Sequence, residues 1–296
     1  DSVASRGLGD VYKRQEWKRS SIPSLTRLYY RPWLAIKCAV SQRLCGISHH
    51  MQKKLLLHIG SPKTGTTFLQ DTFASNKDIL FSRGIYYHGI PGLYCANHWW
   101  FSLPFIEAID EYDPCKWDME RGVSKKDLIE RGQRSLDAFE VACADPNINL
   151  LVVSAEQFLG LPSEVLVKMK DYLFAKSITT SVLCYFRNPI SYAVSEISQK
   201  VKMGLSTLPE MLDHPPVQSV ASFKKFIEIF GNKSVVARSY DQACAREGGI
   251  LFDFIDALGC NHSAESIYSA ISQPLRNSSN RSLSGTSLAC IDLVNK

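Results

Sequence analysis

No stretch of this chain approaches the roughly 18 uninterrupted apolar residues that a membrane-spanning helix needs, so no integral membrane segment is expected. The most apolar part of the first fifty residues, Trp33 to Val40, is short and contains Lys37, which argues against a well-formed signal peptide as well. C-x-x-C pairs are also missing. The nine cysteines are scattered from Cys38 to Cys290, an odd number at irregular spacing. That distribution speaks against a disulfide framework or a zinc site and reads as reduced thiols in a cytoplasmic protein. Internal repeats and low-complexity tracts are absent, which excludes repeat architectures. The main body also lacks a charge excess. The formal net charge of +5 arises in residues 1–50, where nine Lys/Arg stand against three Asp/Glu, a net of +6. Residues 51–296 carry the remaining 25 basic and 26 acidic side chains, a net of −1, so nucleic acid is not expected as a partner.

What is present is enough for a sizeable core: 296 residues at 45% hydrophobic composition accommodate one large α/β domain or two small ones. Residues 1–15 show neither helical nor strand periodicity and look like a translated sequencing-adapter leader. Residues 16–50 read as a poorly ordered basic tail with one helix near Leu25–Leu44, either a genuine extension or translated upstream sequence. Met51 stands directly before the first strand, as a start codon would. The expected division is therefore a leader over 1–50 and one domain over 51–296, truncated or complete at Lys296.

The most definite chemical statement is the stretch from His58 to Gln70, HIGSPKTGTTFLQ. Leu55, Leu56, Leu57 and Ile59 read as a buried strand, and Phe68, Leu69 and Phe73 fit a helical face starting at Thr66. Strand, tight loop and helix form a phosphate-site arrangement. Gly60 and Gly65 permit close backbone approach, and the first helical turn offers unpaired N–H groups with partial positive charge. Lys63 and the hydroxyls of Thr64, Thr66 and Thr67 add donors. The glycines have the spacing of the ATP-binding G-x-x-x-x-G-K-[ST] loop, but the lysine sits two residues before the second glycine instead of directly after it.

A second motif, Tyr185-Phe-Arg187-Asn-Pro189 continuing to Ser195, follows another apolar strand. Arg187 falls at the strand's carboxyl end and Ser195 two turns into the next helix, so both converge on the sheet edge where open α/β folds bind ligands. A guanidinium with a hydroxyl suits a phosphate monoester.

Between and around these motifs the periodicities alternate. Strands are expected at Gly84–Gly89, Asn149–Ala155, Thr179–Phe186 and Lys233–Tyr240. Helices are expected from Ser124, with Asp127 as a capping partner, to Pro146, and over Pro162–Phe174, from Pro189, over Ser219–Phe230 and over Gly248–Leu258. Residues 204–218, with three prolines, read as a surface loop or lid. An aromatic segment over Gly92–Asp118 reads as a helix plus loop near the ligand. A polar tail begins at Gln273, and a last helix is expected from Leu283 to Val294. Strands alternating with helices imply an α/β three-layer sandwich around a mostly parallel central sheet.

The order Pro62-Lys63-Thr64-Gly65-Thr66-Thr67 resembles the 5′-phosphosulfate loop of sulfotransferases that use 3′-phosphoadenosine-5′-phosphosulfate, and Arg187-Asn-Pro with Ser195 is similar to that family's 3′-phosphate site. A weaker likeness to bacterial members lies at Asn280-Arg-Ser-Leu-Ser284. The family's C-terminal Arg-Lys-Gly loop is absent, with Arg276 or Arg281 as the available substitutes. The resemblance implies the P-loop-like sulfotransferase fold and metal-free, in-line transfer of a sulfuryl group to an acceptor hydroxyl or amine, leaving adenosine 3′,5′-bisphosphate. It assigns donor binding to Ser61, Lys63, Thr64, Gly65, Thr66, Thr67, Arg187 and Ser195, with Lys63 also stabilising the leaving oxygen. His98 is the first candidate for the general base, with His88 and Glu156 as alternatives. The partners implied are the donor nucleotide and a small-molecule or glycan acceptor. Carbohydrate is preferred because Tyr94, Trp99, Trp100, Phe101 and Trp117 offer stacking surfaces. Two other readings stay open: a P-loop nucleotide kinase and a non-catalytic binding relative.

Overall fold

A computed structural model describes residues 52–93 and 96–271; the expectations for residues 1–50, for Tyr94 and for everything beyond Gln273, including Arg276 and Arg281, lie outside them. Five strands form one sheet: β1 (Lys54–His58), β2 (Ile85–Tyr87), β3 (Leu150–Ser154), β4 (Thr179–Phe186) and β5 (Val235–Ser239). Their order is β2-β3-β1-β4-β5 and every pairing is parallel. The central strand β1 registers Leu56 opposite Val152 on one side and Ser181 on the other.

Alternation along the strands divides the apolar side chains between two faces. Leu55, Leu57, Val153, Val182 and Cys184 belong to one core, and Leu56, Leu150, Val152, Leu183 and Tyr185 to the other. The second face is covered by α1 (Thr66–Ser75) and α2 (Lys77–Phe81), through Leu69, Phe73 and Leu80. The chain crosses α3 (Asp113–Glu120) and α4 (Lys125–Ala144), then α5 (Ser163–Ala175), α6 (Pro189–Lys202), α7 (Leu208–Asp213) and α8 (Val220–Phe230). Phe139 of α4, Leu166 and Met169 of α5 and Phe226 of α8 pack on the first face. The chain returns to the second face through α9 (Tyr240–Ala245), α10 (Gly249–Asp256) and α11 (Ala264–Ala270). The result is the expected three-layer α/β sandwich, with a sheet that is parallel throughout.

The connection after β1 leaves onto one face, whereas those after β3 and β4 lead to the other. That reversal opens a crevice at the carboxyl ends of β1, β3 and β4, where ligands of doubly wound sheets bind. Local signals set several boundaries. The Ser124 hydroxyl accepts from the Asp127 N–H (3.1 Å) and the Asp127 carboxylate accepts from the Ser124 N–H (3.3 Å), the reciprocal cap that starts α4. Asn188 accepts from the N–H groups of Ile190 and Ser191, with Pro189 in the first turn of α6.

Two expectations change. Residues 204–218 are not loop throughout: Thr207 and Glu210 form a capping box that starts α7, and Pro209 sits in its first turn, where a missing N–H costs nothing. The aromatic segment forms two 3₁₀ pieces, of about two turns at Trp99–Phe105 and one turn at Ile109–Glu111, before α3. Phe101 and Trp100 are buried in core clusters, because a half-apolar segment crossing the sheet end must hide its rings before it can present them.

Candidate functional site: two loops joined above the sheet

The loop from Gly60 to Gly65 is held in a conformation that residue choice makes possible. Gly60, Lys63 and Gly65 all have positive φ, at 40°, 65° and 74°. A Cβ at Gly60 would stand 2.7 Å from the Thr66 methyl, so the position excludes any side chain. Lys63 is the unusual member, since a non-glycine residue in the left-handed region carries a strain that the surroundings must hold in place. Gly65 is the N-cap of α1 and no side chain caps that end, which leaves the first-turn N–H groups for a ligand.

Most loop hydroxyls serve the loop itself. The Thr64 hydroxyl donates to the Ser61 carbonyl (2.6 Å), and the Ser61 hydroxyl accepts from the Gln218 amide (2.5 Å). The Thr66 hydroxyl donates to the Glu156 carboxylate (3.0 Å). Thr67 alone is exposed. Lys63 donates to the Gln199 side chain of α6 (2.7 Å), and partial burial, its largest influence, lowers the ammonium below the ordinary lysine range, while Glu196 and Glu156 pull the other way.

Arg187 brings the second motif onto the first. Its Nη1 donates to the Lys63 carbonyl (3.2 Å) and its Nε to the Ser191 hydroxyl (3.0 Å), while the guanidinium lies 5.3 Å from the centre of the Tyr240 ring. Gln218 makes a further bridge, accepting from the Arg187 backbone N–H (3.0 Å) with the same amide that donates to Ser61. Beside Arg187 lies an open depression of about 690 Å³ lined by Ser191, Arg238, Ser239 and Asp241, among others. Ser195 is half-buried on α6 and is not among the residues lining it. The hydroxyl that meets the arginine is thus Ser191, one turn earlier.

A second cavity, of about 740 Å³, is lined by Ser61, Pro62 and Glu156 and also by Glu111, Asp113 and Glu164, among others. Glu156 follows β3, its Cβ lying 3.6 Å from the space a Gly60 side chain would take. Burial raises its carboxyl above the ordinary glutamate range, opposed by the Thr66 hydrogen bond and the Lys63 charge.

The two histidines expected as candidate bases lie elsewhere. His98 is 2% exposed; its Nδ1 accepts from the Ser154 N–H (2.9 Å), and its ring packs against Tyr87 and His88. His88 is equally buried, with Nε2 2.7 Å from the Ser135 hydroxyl, and neither histidine lines the cavity. The physical reason is their position: both attach to the core side of the β2–β3 edge, where burial holds them neutral, His88 down to about 3 and His98 well below its usual range. Of the aromatics expected to stack on an acceptor, neither Trp99, Trp100, Phe101 nor Trp117 lines the cavity; Phe105, Tyr112 and Tyr192 do. Ser191 and Tyr192 stand inside the second motif, where sequence spacing alone does not set them apart from Ser195. Gln199 and Gln218 carry no sequence signal, because a single amide in a helix or after a Pro-Pro pair resembles any surface glutamine.

Among the described residues, no group of three or more His, Cys, Asp or Glu is placed to hold a metal ion. Among the same residues, no helix is long and apolar enough to cross a membrane.

No family model matches the sequence. An uncharacterized protein of Archaeoglobus fulgidus is 25% identical over 109 residues, which is 37% of this chain and 30% of that relative, so the match spans less than a third of the relative's length. Among solved structures, a sulfotransferase from Alicyclobacillus acidocaldarius is similar with a TM-score of 0.42 and 14% identity, over 81% of this chain and 92% of that one.

Proposed function

We propose that this chain is a sulfotransferase that moves a sulfuryl group from 3′-phosphoadenosine-5′-phosphosulfate to an acceptor hydroxyl or amine, with a carbohydrate-like acceptor preferred. The observation that carries the reading is the hydrogen bond from Arg187 to the Lys63 carbonyl, which joins the two motifs into one double anion site. A donor with a 5′-phosphosulfate and a 3′-phosphate needs two such sites, one per phosphate; ATP needs only the first. The residues present suit that donor. A glycine cradle with no room for a Cβ and an uncapped helix start face one phosphate, and Arg187 with Ser191 faces the other.

In this reading Lys63, held between Gln199 and the loop, stabilises charge on the leaving phosphate oxygen. Glu156 is the general base: its carboxylate adjoins both the loop and the cavity, and its raised affinity for a proton suits the task. The acceptor oxygen bonds to sulfur as the bond from sulfur to the phosphate oxygen breaks, the acceptor proton passes to Glu156, and adenosine 3′,5′-bisphosphate leaves. A cytoplasmic setting is supported by the described cysteines, each a free thiol.

The test is calorimetric titration of adenosine 3′,5′-bisphosphate against ATP with magnesium, followed by turnover with labelled donor. The bisphosphate is expected to bind, and Lys63→Ala and Arg187→Ala each to weaken it by about tenfold or more, the worth of a charge-assisted hydrogen bond. Tight ATP binding with no bisphosphate binding would overturn the reading in favour of a nucleotide kinase. Bisphosphate binding without turnover on any acceptor would leave a binding protein instead.

A further inference from the structure

The cavity beside Glu156 has a chemical character of its own. Five carboxylates line it, from Glu107, Glu111, Asp113, Glu156 and Glu164, against one cation, Lys168. Lys168 is spent on Glu107 at 2.5 Å, and Asp113 pairs with Lys116 at 3.1 Å. Glu111 and Glu164 have no cation within ion-pair distance among the described residues, so the outer part of the cavity keeps an uncompensated negative charge. Near the loop, Tyr192 is 7% exposed and lines the cavity, yet its hydroxyl makes no hydrogen bond among the described residues. The ring is packed away while the hydroxyl stays accessible at the cavity wall, and the free space in front of it belongs to the acceptor. Phe105 and Tyr112 add apolar surface of the kind that receives a sugar ring or an ammonium group.

Resting on the sulfotransferase reading, we propose that the acceptor is cationic: a polyol bearing at least one protonated amine, of the amino-sugar or amino-alcohol class. Its ammonium lies toward Glu111 and Glu164 and its reacting hydroxyl lies between Tyr192 and Glu156. The volume suits a molecule of disaccharide size. The same negative lining repels anionic acceptors and keeps the phosphates of the donor on the far side of the loop, so one charge pattern separates the two substrates.

The experiment compares matched disaccharides on the full chain saturated with adenosine 3′,5′-bisphosphate: the glucosamine disaccharide of chitosan, cellobiose, and the neutral N-acetylated form of the first. Affinity is read by calorimetry, and kcat/KM with labelled donor in parallel. The amine-bearing sugar is expected to bind about fivefold or more tightly than either neutral one, the combined effect of two rim charges. The preference should shrink toward unity in about 0.5 M salt. It should also collapse in the doubly substituted Glu111→Gln/Glu164→Gln protein, whose exposed positions leave the core intact. Equal or weaker binding of the amine-bearing sugar overturns the proposal, as does a preference that survives the double substitution. Failure of adenosine 3′,5′-bisphosphate to bind at all overturns the sulfotransferase reading and this proposal with it. Bisphosphate binding without amine preference overturns this proposal alone.

Discussion

Glu156 adjoins both the loop and the cavity, and its protonation connects stability to chemistry. Burial raises its carboxyl above the value it has in the unfolded chain. As pH rises past the ordinary glutamate range, the unfolded chain therefore releases this proton before the folded one does, and folding becomes less favourable through that window. Glu156→Gln keeps an acceptor for the Thr66 hydroxyl and removes the charge. The substituted protein is expected to be at least as stable as wild type at pH 7 by urea titration, while turnover falls by about a hundredfold or more. Unchanged turnover would move the base elsewhere. This residue was legible in the sequence only as an alternative. His98 ranks above it in the sequence because it sits in the aromatic segment after the second strand, about where the family this chain resembles often places its base, and nothing in a one-dimensional reading separates an imidazole in the core from one in a cavity. Lys63 and Arg187 were legible because loop chemistry needs those residue types at those spacings. Ser191 was not, because within a single helical turn the choice between two serines depends on the direction of one arginine.

At the level of elements, the strands and most helices could be read from periodicity, since a sheet buried on both faces produces short, nearly continuous apolar runs such as Leu150–Val153. Order in the sheet could not be read, because every one of those runs is equally apolar and pairing is a long-range choice. The loop's shape was inferable from its glycines, and it carries a prediction. Gly60→Ala places a methyl against Thr66 where 2.7 Å is available, at a positive φ. It is expected to abolish bisphosphate binding while lowering stability by only about 1–3 kcal/mol, since the strain is confined to the loop. Retained binding in calorimetry would show that the loop can open without loss. The opposite behaviour is expected at Asp253 on α10, a residue with no sequence signal. Its carboxylate accepts from the Tyr185 hydroxyl of β4 (2.7 Å), from Arg238 of β5 (2.9 Å) and from Arg246 (2.6 Å), so it fastens the β4–β5 edge to the helical layer. Asp253→Ala should cost about 2 kcal/mol of stability, less than a fully buried pair because both arginines reach solvent. Affinity for the bisphosphate, measured at a temperature where the protein stays folded, should change little.

For the whole molecule, the histidines that do not reach the cavity dominate its response to acid. His58, His88 and His98 are each at most 2% exposed, and none has a partner on one of its ring nitrogens. Burial lowers His58 and His88 to about 3 and His98 well below the usual range. Below about pH 6.5 the unfolded chain takes up three protons that the folded chain refuses, so stability is full above that pH and is lost on acidification. Each histidine contributes a slope of about 1.4 kcal/mol per pH unit once well below its unfolded value, so three together approach about 4 kcal/mol per unit. Asp253, whose carboxyl is held low by its hydrogen-bonded partners despite burial, adds a loss of the same sign at lower pH. Glu156 and Asp118, whose carboxyls burial raises, oppose them, and two carboxyls do not offset three imidazoles. With an ordinary reserve of about 5–15 kcal/mol, the chain is expected to unfold between about pH 5 and pH 3. Urea titrations at pH 7, 6 and 5 measure the slope directly, and His98→Gln should flatten it by about a third even if it lowers stability at pH 7. A protein equally stable at pH 5 and pH 7 would mean that these rings find proton acceptors on ionisation, and that the packed edge around β2 and β3 opens to water more readily than its burial indicates.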